Sequence, residues 1–195
     1  GVSKHATGPS VSGTGVAGGG ALRNLANSNT WTGAITLGGG GARINSDSGT
    51  LILAGGVVTA LGSDLTIGGA GAMTNKAAIS GAGGLIKDGT GLLTLHTVVN
   101  TYTGPTSLKN GVIQIGFADA LPTATILTIG DAATGGKLVL GAGSGAFNQT
   151  IAGLQTNGLG GSVVGGYTAV ISILTVNNAS GEYAFSGALG GAGAD

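Results

Sequence analysis

The sequence predicts an all-β fold, a parallel β-helix or solenoid, with no significant helix. Three observations carry this. Glycine supplies 44 of 195 residues, about three times its usual share. Short aliphatic segments recur along the whole chain, each bounded by Gly, Asn or Asp, the residues that tolerate tight turns and positive φ. Lys and Arg together number seven, as do Asp and Glu, and aromatics make up only 4%. Side chains this small cannot easily fill a thick sandwich core. A coil of thin rungs, each covering the one below, needs only small aliphatics inside and glycine at its corners.

The segments, in order, are Ala34–Leu37, Thr50–Leu53, Leu65–Ile67, Leu92–Leu95, Val112–Ile115, Ile126–Ile129, Lys137–Leu140 and Val170–Val176. Many alternate an aliphatic residue with Thr, Ser or Gln, the period-2 mark of a strand with one buried face. No stretch shows a helical period. Rungs of roughly 20 residues predict about eight to ten turns and a rod of roughly 40 to 50 Å. Residues 1–20 read as a loose N-terminal segment or linker, and residues 21–195 as a single β-helix domain, part of a longer chain.

Composition excludes other classes. Collagen needs glycine at every third position, and disordered chains are poor in aliphatics, whereas this chain is 42% hydrophobic. Without Cys there is no disulfide framework. A net charge of zero argues against nucleic acid. The uncharged stretch from Leu138 to Gly181 holds one apolar run, Tyr167–Val176, which is too short to span a membrane as a helix and reads as a strand.

Internal echoes support repetition. Asn29–Leu37 resembles Asn100–Leu108, which places Trp31 opposite Tyr102 in the pattern. Leu65–Gly68 matches Leu127–Gly130, and Ile79–Gly83 is echoed near Phe185–Gly190.

Two adjoining stretches carry a specific motif. Gly81-Ala-Gly-Gly-Leu-Ile-Lys-Asp-Gly-Thr-Gly-Leu-Leu-Thr-Leu95 is followed by Asn100-Thr-Tyr-Thr-Gly-Pro-Thr-Ser-Leu-Lys-Asn-Gly-Val-Ile-Gln-Ile-Gly116. Together they closely resemble the autotransporter-associated β-strand repeat, also called the passenger-associated transport repeat. Gly83, Leu85, Lys87, Gly89, Gly91, Leu93 and Leu95 fall on its pattern, as do Asn100, Tyr102, Gly104, Gly111, Ile113 and Ile115, with Trp31 in a partial copy. Ile86, Leu92 and His96 depart from it. The resemblance implies a right-handed parallel β-helix in the passenger of a secreted or surface-displayed bacterial protein. It implies a repeat that aids export and folding, and a C-terminal outer-membrane barrel outside this segment.

Chemistry-bearing motifs are weak. Gly190–Asp195 spells the start of a calcium nonapeptide, but calcium sites of that kind need tandem copies, and Gly68–Met73 has Met at the ligand position. Gly13–Gly18 lacks the strand, helix and acidic residue of a dinucleotide site. Asp47, Asp64, Asp88, Asp119 and Asp131 read as turn residues, Glu182 is the only glutamate, and His5 and His96 are far apart. Trp31 and Tyr102 either stack a sugar or pack over a corner, and packing is the plainer reading. No catalytic, cofactor or metal residue is assigned, and no cofactor is expected.

The expected function is a non-enzymatic rod or adhesin-type passenger, extracellular or on the bacterial surface, whose partners are surface glycans or proteins. Two alternatives stand beside it. One is a self-assembling fibre whose copies stack through their open strand edges; the other is a polysaccharide-active β-helix enzyme, recognisable by carboxylates converging on an exposed sheet.

Overall fold

A computed structural model describes residues 9–59, 62–143, 145–178 and 181–192. The chain is an all-β parallel solenoid of about eight turns. It holds no α-helix among the described residues, and Val16–Gly18 is a short 3-10 turn.

Each turn visits three faces. The first holds β1 (Ser10–Gly13), the start of β4 (Ile35–Ser46), β6 (Val57–Thr59), β9 (Ile79–Gly81), β12 (Thr101–Tyr102), β17 (Gln149–Ile151) and β20 (Leu174–Val176). The second holds β2 (Leu22–Asn24), the end of β4, β7 (Leu65–Gly68), β10 (Leu85–Lys87), β13 (Thr106–Leu108), β15 (Ile126–Ile129) and β18 (Gly153–Thr156). The third is the most regular. It stacks β3 (Ser28–Trp31), β5 (Thr50–Leu53), β8 (Ala72–Asn75), β11 (Leu92–Leu95), β14 (Gly111–Ile115), β16 (Gly136–Leu140), β19 (Gly161–Gly165) and β21 (Ala188–Ala192).

Every pairing between named strands is parallel, so equivalent positions form columns along the rod. On the third face one column runs Trp31, Leu53, Asn75, Leu95, Ile115, Leu140 and Gly165. Its members are 22, 22, 20, 20, 25 and 25 residues apart. The two longer turns take up loops at 116–125, and at 141–143 and 145–148.

The core is the set of inward columns. Leu51, Met73, Leu93, Ile113, Leu138 and Val163 stack on the third face, and Ala42, Leu65, Leu85, Thr106, Leu127 and Leu154 on the second; all are buried. Neighbouring positions such as Thr74, Thr94 and Gln114 point outward. The period-2 pattern that predicted the strands is this inward and outward alternation.

Six of the eight expected segments are strands or lie within them, and a seventh, Ala34–Leu37, begins one residue before β4. The eighth, Val170–Val176, is a strand only over Leu174–Val176. Val170, Ile171 and Ile173 are exposed. A face here is only three to five residues wide, so the rest of that apolar run must serve as a connection. Of the echoes, Leu65–Gly68 and Leu127–Gly130 are true equivalents, three turns apart in one column. Asn29–Leu37 and Asn100–Leu108 are not: Trp31 lies on the third face and Tyr102 on the first. Text similarity there crosses a corner, because Ile35 rather than Trp31 shares Tyr102's face.

Within residues 1–20, β1 pairs with β4, and residues 1–8, with His5, lie outside the described residues.

Truncating an inward position removes a plug that both neighbouring turns rest on. Leu93→Ala should lower unfolding free energy by about 2–5 kcal/mol, while Thr94→Ala, its outward neighbour, should change it by less than about 0.5 kcal/mol. Urea denaturation of the two variants checks this, and equal losses would show that the columns do not carry the core.

Candidate functional site

The motif stretch builds one and a half turns near the middle of the rod. It begins with β10, whose alternation places Leu85 and Lys87 inward and Ile86 outward. Lys87 stands in register with Ile67 on the turn below and Leu108 on the turn above. A charged side chain therefore occupies an apolar column, and the residue is only 2% exposed.

The ammonium finds its partners at the corner. Lys87 Nζ donates to the carbonyls of Asp88 and Gly89 at 2.7 Å each and of Asn110 at 3.3 Å. Three carbonyls from two successive turns thus meet three ammonium hydrogens. The corner needs glycine because its backbone is left-handed at Gly89 (φ 71°) and Gly111 (φ 72°). A Cβ at Gly111 would also fall 2.9 Å from Lys87 Nζ. Burial pushes the Lys87 ammonium down to about 8, with Asp88 opposing the shift and Arg43 adding to it.

Outside this corner a second charged contact ties three turns together. Arg43 Nη1 and Nη2 donate to Asp88 Oδ2 and Oδ1 at 2.6 and 2.7 Å. The pair passes over Gly68 on the turn between, where a Cβ would collide with both side chains.

The first face carries a buried polar relay. Tyr102 stacks in register over Gly81, whose missing side chain leaves room for the ring. Its Oη lies 2.6 Å from Thr106 Oγ1, which lies 3.0 Å from Thr125 Oγ1, and Thr125 Oγ1 donates to Gly104 O at 3.3 Å. Burial raises the Tyr102 phenol far above its ordinary value, and the Thr106 contact opposes this. Asn100, also buried, accepts from Ile79 N at 2.8 Å and donates from Nδ2 to Ala120 O at 2.7 Å. Its side chain bridges two turns at a level where residues 120–121 form no strand. Gln149 does the same from above, accepting from Leu121 N at 2.9 Å and donating to Leu121 O at 3.0 Å.

The remaining motif residues are structural in the plain sense. Leu85, Leu93, Leu95, Ile113 and Ile115 are inward and buried. Gly83, Gly91 and Gly104 sit where the chain passes between faces, and a Cβ at Gly104 would lie 2.6 Å from the carbonyl carbon of Gly83. Sequence reasoning missed the polar partners Thr106, Thr125 and Gln149, because a Thr or Gln in or beside an alternating strand looks the same whether it points in or out.

Tyr102, at 1% exposure, presents no face to a sugar. Trp31 is half-buried at the N-terminal end of the rod, lining a cavity of about 480 Å³ with Leu22, Arg23, Asn29 and Leu51. Its indole Nε1 is buried without a hydrogen-bond partner.

The carboxylates are spread along the coil in separate contacts. Asp47 holds Arg23, and that hydrogen bond keeps its carboxyl below the usual range. Asp64 accepts from Gly84 N, and Asp119 from Thr150 N. Asp131 closes a turn on Ala133 N, Thr134 N and Thr134 Oγ1, and the Ala133 amide is the largest cause of its lowered value. Among the described residues no three His, Cys, Asp or Glu side chains gather as a metal site. Asp195, the ligand position of the calcium-like motif, lies outside the described residues.

These features define a repeat rod whose buried polar groups bind neighbouring turns to one another. Residues 85–115 match the passenger-associated-transport-repeat family model, 31 of the 195 residues. No curated protein and no solved structure matches the chain significantly. The matched repeat and the solenoid together fit an autotransporter passenger, and the repeat implies a secreted or surface-exposed protein.

The Lys87 corner makes stability depend on pH in a defined direction. With its folded value near 8 and its free value near 10.5, the unfolded chain holds the extra proton between those limits. Stability from this site therefore rises with pH across that window. Relative to Lys87→Met, the native chain should gain about 1–2 kcal/mol from about pH 7 to about pH 10, after allowance for solvent screening. Urea titrations of both proteins at both pH values test it; a constant difference would place the Lys87 value outside the window. Tyr102→Phe, which removes one end of the buried relay, should cost about 1 kcal/mol in the same assay.

Proposed function

We propose that this chain is a non-catalytic rod within a bacterial surface passenger, holding an adhesive surface away from the cell. The observation that supports it most is the coincidence of two independent features. The stretch matching a transport-repeat model is also a continuous part of the parallel coil. The motif's Lys87, Asn100 and Tyr102 are buried, and the outward column of the second face runs Arg43, Thr66, Ile86, Ser107, Thr128 and Gln155, uncharged apart from Arg43. A flat surface of this kind suits extended contact with neutral glycans or protein surfaces rather than turnover of a bound substrate.

A second reading has its own observation. The third-face sheet ends on β3, whose outer side pairs with no strand among the described residues, and Ile173, Val176 and Leu189 are exposed apolar side chains. An unpaired edge of this kind favours stacking into a fibre, and zero net charge opposes it weakly.

An antibody raised against residues 21–192 should label intact cells producing the full-length gene product. Labelling only after permeabilisation would overturn the surface assignment. Electron microscopy of the purified chain at high concentration separates the two readings: isolated short rods support the passenger rod, and long unbranched polymers support the fibre.

A further inference from the structure

Asn110 and Gly111 form the corner that Lys87 closes, and an Asn-Gly peptide has the least steric hindrance to attack by the following backbone nitrogen on the Asn side chain. At the same corner one turn below, Gly91 N donates to Gly69 O at 3.0 Å. Gly111 N instead donates to Oδ1 of Asn110 itself at 2.7 Å. The nitrogen is thereby held against the Asn110 side-chain amide, no more than one C=O bond further from its Cγ. The Lys87 ammonium donates to the Asn110 main-chain carbonyl at 3.3 Å. A cation on that carbonyl draws electrons from the 110–111 peptide, making the Gly111 N–H more acidic and stabilising the anion that forms when it is removed.

We propose that this corner is a self-modification site at which Asn110 deamidates, assisted by Lys87. Hydroxide removes the Gly111 amide proton, and the nitrogen attacks Asn110 Cγ. The new N–Cγ bond forms, the Cγ–Nδ2 bond breaks, and Nδ2 takes up one proton from water and leaves as ammonia. Water then opens the five-membered imide at either carbonyl, leaving Asp or isoaspartate at 110. No electrons are exchanged, and water is the only co-reactant. The product takes the net charge from zero to minus one. An Asp at 110 puts a carboxylate on the residue whose carbonyl Lys87 already holds. Isoaspartate adds a backbone carbon at a corner where successive turns are in contact.

Asn157-Gly158 is an internal reference, the same dipeptide at a corner without the cation. There the Asn157 carbonyl accepts from the neutral Gly160 N–H at 3.0 Å. The test is peptide mapping by mass spectrometry of the whole folded chain aged in neutral buffer, following the gain of about 1 Da and the isoaspartate peptide at each site. Asn110 should convert roughly threefold to tenfold faster than Asn157, the effect of one charge-assisted hydrogen bond on a barrier. Lys87→Met should remove the difference and Lys87→Arg should retain it. In urea the two sites should age alike. Where Lys87→Met fails to fold, the native chain decides alone: Asn110 ageing no faster when folded than in urea overturns the proposal. So does an Asn157 rate equal to or above that of Asn110 in the folded chain.

Discussion

Parallel stacking at one strand spacing, about 4.8 Å, is the constraint from which the rest of this molecule follows. Each side chain lies directly over its counterpart, so a column accepts only what its neighbours leave room for. Leu51, Met73, Leu93, Ile113, Leu138 and Val163 satisfy this with similar volumes. Corners satisfy it with no side chain at all. Gly71 and Gly91 succeed one another, and a Cβ on Gly91 would strike the carbonyl of Gly71. The high glycine content is a consequence of stacking as much as of turning: many corner positions are closed to any Cβ by the backbone of the next turn.

Against that background the motif residues stand out as places where the column rule is broken and repaired. Lys87 between Ile67 and Leu108 is costly by burial alone. It is retained beside three corner carbonyls, of Asp88, Gly89 and Asn110, that accept from its ammonium. Asn100 and Gln149 are amide side chains standing in for amide backbone, where residues 120–121 leave the first face without a strand. Tyr102 fills the space over Gly81 and sends its hydroxyl to Thr106. Several of these contacts join adjacent turns: Lys87 with Asn110, Asn100 with Ile79 and Ala120, Gln149 with Leu121, and Thr106 with Thr125. In a solenoid, where stability is a sum of turns and their interfaces, they concentrate cohesion in the middle of the rod.

How much of this was legible depends on which physical signal each residue leaves. The coil was legible because period-2 alternation and bounding glycines are local, and Leu65–Gly68 and Leu127–Gly130 repeat with true register. The motif positions were legible by resemblance, which named Lys87, Asn100 and Tyr102 without saying which way they point. Strands such as Leu22–Asn24 and Ser28–Trp31 left little signal, because their Arg, Asn, Ser and Thr give no aliphatic alternation. The apolar run ending at Val176 misled in the opposite sense, since a face takes only a few residues and Val170, Ile171 and Ile173 fall outside β20. Trp31 and Tyr102 looked equivalent because a local sequence match contains no information about the face on which it falls.

The scarcity of charge follows from the same geometry. Like charges placed one above another at strand spacing repel by about 1 kcal/mol even in bulk water, and by several times that near a protein surface. A column cannot relieve this, because the backbone ladder fixes the spacing. Charges are therefore admitted singly, or as opposites that reach across turns. Arg43 spans two strand spacings to Asp88 and needs Gly68 beneath the bridge. Arg23 reaches Asp47 from the turn below. The cost of this solution is specificity. A surface on which charge appears singly, or as opposites reaching across turns, has little ionic pattern with which to distinguish one charged ligand from another.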